Sequence, residues 1–488
     1  MRGAAEQASE PVAFRIIGAR SSSAGITVEA LALDANGNAL SSSQLGGSWS
    51  VAAGCRGDVL KEGTQPIIEQ MQWTTMTPAS QVAVFVDHSL TSEGVAPDIL
   101  RALRNVLPSV MGRDSVSVTV FDHDMLQISA AAPTYEAADR CSGDSLGAPT
   151  GIPAVYTAMM SGLRILGDKS AESKALIIIT ASNDMASLTY TSSDIVRRAK
   201  EAGAAIHVVK VGTAAQGYVY RYISASTGGR LYTIEIEDAA DAAQIVREIM
   251  YGMKEHLEIF VPMRRQEGTC DDLLLRVKYV DGAVELADTI LIPIRDRSFR
   301  TTRAVVAAFE DTTDRGLREF YPILAVLAED LMSDSTKRLQ LVGHVSTDVK
   351  GDGTERGMER AGFVRDFLMG YGVRSEQIAV RSDGKRKPMY YLQLDGTQRL
   401  LNNRVEAYYL LPDDLPFTII VDQVASEEQA ESQVNTWTSR GYKAYFDVVV
   451  DKRTPSYQIK LWGYKTRTEA LDATAVLKRK YNATTSVE

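Results

Sequence analysis

Residues 339–368 read LQLVGHVSTDVKGDGTERGMERAGFVRDFL. LQLVGH is a short apolar strand, and the Ser, Thr, Asp and Gly residues that follow are turn chemistry. A helix is expected over 357–369. Downstream, QIAVRS at 377–382 and RVEAYYL at 404–410 supply further strands, and an earlier helix is expected over about 317–331. Together they predict a mixed α/β sandwich over roughly residues 301–412.

The segment that follows is a repeat. Phe417 and Tyr457, Ser426 and Thr466, and Ala430 and Ala470 each lie forty residues apart. Ser426-x-x-Gln429 and Thr466-x-x-Glu469 are capping boxes, so each half reads as a strand feeding a capped helix. The expected product is a βαβ-type repeat with one open sheet face.

Upstream, apolar runs alternate with helical periodicity. The runs are VAVFVD at 82–87, VSVTVFD at 116–122, ALIIIT at 175–180 and IHVVKVG at 206–212. Helices are expected around Ile99, Leu100, Leu103 and Leu107, over 153–166, and over 194–202 with Gly203 as the stop. Strands apolar on both faces and spaced by helices predict a doubly wound parallel sheet. On either side the pattern changes to period two, in VAFRIIGAR and GITVEALAL before it and in LEIFVPM, LLLRVKYVDGAVELA and TILIPI after it. The DANGNAL turn at 34–40 and Asp281-Gly282 are hairpin signals. One β-sandwich interrupted by an inserted domain accounts for both flanks, and a Cys55–Cys270 disulfide would fit it. The expected division is 1–72 β-rich, 73–255 doubly wound, 256–300 β-strands completing the sandwich, 301–413 mixed α/β and 414–488 the repeat.

Composition excludes several classes. A chain of 488 residues is too long for a single core. A formal net charge of -9 argues against nucleic acid as principal partner, since such binders concentrate cations to release counterions. Three cysteines cannot frame the fold, and nothing has zinc-site spacing. The five histidines are scattered, without an HExxH, so no hydrolase site is expected and the chain is expected not to be an enzyme. No apolar run is long enough to span a bilayer, and the start MRGAAEQASEP lacks signal-peptide features, so an exported protein of this sequence is expected to be a mature or trimmed form. Arg56-Gly57-Asp58 is read as a polar turn.

Three resemblances add to this reading. The 339–368 stretch, with GVRSEQIAVRSDGKRKP and LLNNRVEAYYL, resembles the OmpA C-terminal-like peptidoglycan-binding family. That resemblance implies that an aspartate after the Gly-His strand and an arginine in the next helix grip the ammonium and carboxylate of diaminopimelate in the peptide stem. A carboxylate suits the ammonium and a planar guanidinium takes the carboxylate in a fork. Arg360 matches the arginine. Three residues after Gly343, where the family has aspartate, this chain has Ser346, and the nearest carboxylate is Asp348. Either Asp348 serves or the module has drifted. His344, Asn403 and Arg404 complete the candidate stem-binding set.

The repeat resembles a SPOR domain, which implies binding of glycan strands stripped of stem peptides. Sugar binding asks for aromatic platforms and side-chain amides, which makes Gln423, Gln458, Lys460, Trp462 and Tyr457 the candidates. Strand alternation puts Gln458, Lys460 and Trp462 on one face and Tyr457 on the other.

The doubly wound segment resembles a von Willebrand factor A domain, whose signature is Asp-x-Ser-x-Ser at a strand end. Here Asp87-His88-Ser89-Leu90-Thr91 stands in that place. The resemblance implies that Asp87, Ser89 and Thr91 hold a Mg²⁺, but the aspartate the family places after ALIIIT is missing at Ala181, and Thr150-Gly151-Ile152-Pro153 fits the threonine loop only with a shift. The functional expectation is a non-catalytic protein of the periplasm or outer-membrane side of a bacterial envelope. It would bind peptidoglycan and engage an envelope protein through the A-type domain. The competing expectation is a protein–protein scaffold with degenerate wall modules.

Overall fold

A computed structural model of the protein describes residues 10–488, apart from 23, 57, 59, 63–66, 73–79, 93, 111–113, 150, 168–170, 172, 213–216, 263–270, 300, 302, 312–314, 336, 338, 410–416, 443, 452–453 and 465. The molecule is mixed α/β and multidomain, and the described residues form five sheets.

Two four-stranded sheets build the N-terminal sandwich. Ala13–Ser21 pairs antiparallel with Gly25–Leu33, which pairs with Glu255–Pro262, which pairs with Ile67–Gln72. The second sheet runs Val284–Pro293, Asp272–Asp281, Ser48–Cys55, Lys61–Glu62. Ile16, Val28 and Ile259 from the first meet Val51, Leu275, Val277 and Tyr279 from the second in one core. Strands from both flanks of the doubly wound segment therefore share each sheet. The alternation at 275–279, apolar inward with Arg276 and Lys278 between, is what a half-solvated antiparallel strand requires. Gly282, at φ 56°, makes the turn after Asp281.

The other predicted turn does something different. The Asp34 carboxylate accepts the backbone N–H groups of Asn36 and Asn38 at 2.8 and 2.9 Å and closes DANGNAL on a lone bridge between Leu33 and Ala39. The hairpin joining the first two strands turns earlier, where the Ser22 N–H donates to the Gly25 carbonyl. Cys55 is disulfide-bonded and Cys141 is a buried free thiol. Cys270, Thr150 and Gly57, named from the sequence, lie outside the described residues.

The doubly wound unit has the order Leu231–Ile234, Ala204–Val211, Ser173–Thr180, Ser80–Asp87, Ser115–Phe121, Met125–Pro133. All pairings are parallel except the last. Every residue of Ser80–Asp87 is buried. Val82, Val84 and Val86 face the helices Ala96–Val106 and Ala242–Gly252, while Ala83 and Phe85 face Val155–Gly167. The antiparallel edge strand Met125–Pro133 escaped the sequence reading because its outer residues are polar or exposed, Leu126 among them. Successive connections leave Ser80–Asp87 in opposite directions, so a crevice opens at its carboxyl end.

In the third unit Ala304–Ala308, Arg404–Tyr409, Leu339–His344 and Ile378–Gly384 form a sheet packed by helices Tyr321–Ser333 and Thr354–Gly370. The 339–368 stretch fits because of two glycines. A Cβ on Gly343 would sit 1.7 Å from the Gly357 carbonyl oxygen, so strand and helix approach backbone to backbone.

The sheet of the fourth unit runs Ala444–Asp451, Thr454–Tyr464, Phe417–Val424, Ser486–Val487. Its inner residues Ile419, Tyr457, Ile459 and Leu461 pack on Ala430, Val434 and Trp437 of Glu427–Ser439 and on Ala470 and Leu477 of Arg467–Tyr481. Both predicted caps form: the Ser426 hydroxyl accepts the Gln429 N–H at 3.3 Å and Thr466 accepts that of Glu469 at 3.1 Å. Among the described residues no helix is long and apolar enough to cross a membrane.

Candidate functional site

Asp87 ends its strand wholly buried, where the crevice begins. Its carboxylate accepts the Ser89 N–H at 3.0 Å and the Thr180 hydroxyl at 2.7 Å. The Thr91 hydroxyl lies 3.2 Å from that of Ser89 and 2.7 Å from that of Ser182. Asp87, Ser89 and Thr91 are thus brought together, with Ser182 added. Burial pushes the Asp87 carboxyl above its ordinary range against the hydrogen bonds from Ser89 and Thr180.

Among the described residues no second carboxylate is bonded to this cluster. Asp184 accepts the Tyr156 N–H at 3.0 Å at the start of Val155–Gly167, the Ser187 N–H at 3.1 Å and the Thr301 hydroxyl. It fastens a helix start and the segment leading into the third unit. The donor set for a Mg²⁺ is therefore one carboxylate and three hydroxyls, which does not fit a hard divalent cation well.

The crevice end is also covered. Ile152 and the flanking Leu90 and Met185 pack against Val305, Ala308, Phe320 and Leu401 of the third unit. The Phe320 ring stacks on His123 at 5.7 Å, and the Val305 N–H donates to the Met185 carbonyl at 2.8 Å. Calorimetry with Mg²⁺ is expected to find an affinity no tighter than about 10⁻⁴ M, since hard-cation affinity follows ligand charge. A submicromolar value would mean that another carboxylate completes the shell.

A second polar cluster lies on the third unit, and Asn403 is its hub. The Asn403 side-chain oxygen accepts the Ser346 N–H at 2.8 Å and Arg360 Nη1 at 2.6 Å, while its amide donates to Asp311 at 2.6 Å. Arg360 is fully buried beneath, over the Phe309 ring at 5.2 Å, and also donates to the His344 carbonyl at 3.2 Å and the Glu310 carbonyl at 3.4 Å. Above it, half-exposed Asp348 bonds the Ser346 hydroxyl and pairs with Arg399, whose Nε is 3.1 Å from Asp311.

Asp348, Ser346, Asn403 and Arg360 are thus assembled, but the guanidinium at the surface is Arg399. Sequence reasoning missed it. The signal was there: Asp395 caps the helix Gly396–Asn402, accepting the Gln398 N–H at 2.8 Å, and Arg399 stands four residues before Asn403.

His344 and Arg404, also named from the sequence, belong to a buried network instead. Arg404 bonds Glu406 through Nε at 2.8 Å and Nη2 at 2.5 Å, Tyr408 donates to Glu406 at 3.0 Å, and His344 Nε2 stands 3.4 Å from it. Burial pushes the Glu406 carboxyl upward, but Arg404 and His344 outweigh it and hold it well below the usual range. Their distance from the surface follows from strand alternation, which turns these side chains away from the loop cluster.

On the fourth unit, Gln423 and Gln458 are neighbours on the face away from the helices, with Gln423 Nε2 2.8 Å from the Ser456 hydroxyl. Trp462 is half-buried on that face. Two sequence candidates are not open to a ligand. Tyr457 lies in the core beside Ile459, and Lys460 is 3% exposed, 2.6 Å from Glu488. Glu488 also pairs with Arg303 and Lys387 of the third unit, at 3.2 Å each. Burial would raise its carboxyl, yet Arg303, Lys460 and Lys387 hold it far below the usual range. The two C-terminal units are clasped at this end of the face.

The chain is similar to the peptidoglycan-associated lipoprotein from Burkholderia pseudomallei, at 24% identity over 21% of this chain and 87% of that one, with a TM-score of 0.20. It is similar to the periplasmic domain of Helicobacter pylori MotB, at 18% identity over 28% of this chain and 80% of that one, with a TM-score of 0.20. It is also similar to the conserved hypothetical protein BatB from Bacteroides thetaiotaomicron, at 14% identity over 36% and 98%, with a TM-score of 0.27. No protein-family model and no curated protein matches the chain.

Proposed function

We propose that the chain is a non-catalytic protein of the bacterial cell envelope, on the periplasmic or outer-membrane side, that holds peptidoglycan through the loop cluster of its third unit. The carrying observation is Arg399 at the surface between Asp311 and Asp348, on a framework fixed from below by Asn403 and Arg360. A zwitterionic stem end needs a guanidinium and a carboxylate side by side. On binding, its carboxylate would take Arg399 in a fork, and its ammonium would take the carboxylates Arg399 releases. Ion pairs at a half-exposed surface are weak enough to exchange in this way.

The SPOR-like fourth unit offers Gln423, Gln458 and Trp462 to peptide-free glycan, with the Lys460 end of that face occupied by Glu488. The A-type unit and the sandwich are assigned to an envelope protein partner. With the Asp87 crevice turned against the third unit, that partner would meet other surfaces of the two. The same burial, together with the sequestered Lys460, favours a second reading, a scaffold whose modules have lost their ligands.

Pull-down of the full chain on purified sacculi tests the first against the second. Retention is expected on intact sacculi and, through the fourth unit, on amidase-stripped glycan. Trp462→Ala is expected to weaken the stripped-glycan binding by about 1–2 kcal/mol, or roughly tenfold, as for a lost stacking platform. No retention on either material selects the scaffold.

A further inference from the structure

The outer face of the first sandwich sheet carries a polar cluster remote in sequence from the third and fourth units. Glu258 and Glu29 are register partners on adjacent antiparallel strands. Two acidic residues directly opposed across a sheet cost stability unless a cation balances them, because like charges repel. Arg20 supplies part of that balance, paired with Glu29 and 3.7 Å from Glu258, on a side chain that is 63% exposed.

His256 stands two residues before Glu258 and is 8% exposed. Its Nδ1 is 2.7 Å from the Gly252 carbonyl oxygen, which accepts its proton and leaves the lone pair on Nε2. That Nε2 is buried with no hydrogen-bond partner among the described residues, 4.0 Å from Glu258 Oε1 and beyond hydrogen-bond reach. One ligand atom from each of Glu29, His256 and Glu258 lies within 4.8 Å of the others. An imidazole anchored through one nitrogen on a carbonyl, with its other lone pair aimed at two carboxylates, is how metal-ligating histidines are held.

We propose that Glu29, His256 and Glu258 bind a divalent transition metal, with water completing the shell and Arg20 displaced. One imidazole and two carboxylates suit Zn²⁺, and they give the ion two negative charges where the Asp87 cluster gives one. The site lies at a seam. Gly252 ends the helix Ala242–Gly252 of the doubly wound unit, where a Cβ would meet Ile17 of the sandwich at 2.2 Å. A metal there would tie the sandwich to the inserted unit.

The test is titration of the full chain, stripped with chelator, with Co²⁺ and then Zn²⁺. One equivalent of Co²⁺ is expected to give a visible ligand-field absorption that Zn²⁺ displaces. His256→Gln is expected to abolish the absorption and weaken Zn²⁺ binding about 100-fold or more, with circular dichroism unchanged. Arg20→Ala, which removes the competing cation, is expected to tighten Zn²⁺ binding. Glu258→Gln gives a second reading if His256→Gln does not fold. The proposal is overturned if wild type shows no absorption and no Zn²⁺ binding, or if the folded variants bind as wild type does.

Discussion

Arg360→Ala is expected to abolish retention on intact sacculi and to lower the stability of the third unit by roughly 3 kcal/mol, the scale set by buried acceptors left without a donor. Three acceptors lose a donor at once: the His344 and Glu310 carbonyls, and the Asn403 side-chain oxygen, which keeps only the Ser346 N–H. Asn403 positions Ser346 and Asp311, so the surface cluster loses its footing with it. Arg360→Lys keeps the charge but not the planar fork, and it is expected to recover only part of either property.

Arg399→Ala separates recognition from support. It removes a half-exposed side chain and is expected to leave the melting temperature nearly unchanged while reducing retention at least about tenfold, as loss of a charge-assisted fork does. Asp348→Ala in the same assay reports on the ammonium side. If Arg360→Ala is retained like wild type at an unchanged melting temperature, neither a binding nor a framework role stands.

The doubly wound unit is expected to lose stability as pH falls below about 6.5, the ordinary histidine value. Burial, reinforced by Arg230, pushes His207 down to about 3. Between those values the unfolded chain takes up a proton that the folded one refuses, so stability falls with falling pH by about 1.4 kcal/mol per unit for this one group. Over the window the loss is on the order of 5 kcal/mol. Stability from His207 is fully present above 6.5.

Asp87 and Asp184 act with the opposite sign. Burial raises both carboxyls, so each costs stability as pH rises through its shifted range and returns it as pH falls, opposing the His207 effect wherever the ranges overlap. Urea unfolding of wild type and His207→Leu from pH 4 to 7 is the measurement. A flatter slope in the variant is expected, and parallel slopes would mean that His207 is not the group responsible. His344 in the third unit, lowered by burial and by Arg404, contributes in the same direction and stays constant across the pair.

What the sequence by itself determined is what local pattern encodes. The runs at 82–87 and 175–180 are apolar at successive positions because those strands are covered on both faces, and they appear as Ser80–Asp87 and Ser173–Thr180. Ser426 and Thr466 announce their helices through bonds to residues three positions on.

Tertiary structure alone decided the rest. Asp184 stands only three residues after Ala181, but a helix N-terminus and Thr301 claim it. Lys460 has the alternation of an exposed strand residue, yet it is buried against Glu488, which also pairs with two cations of another unit. Glu29 and His256 are separated by the entire inserted domain, and only the register of Gly25–Leu33 against Glu255–Pro262 sets them side by side. Periodicity records which face of a segment is buried. It carries no term for which distant segment buries it, and partner choice among charged groups is settled by that long-range register.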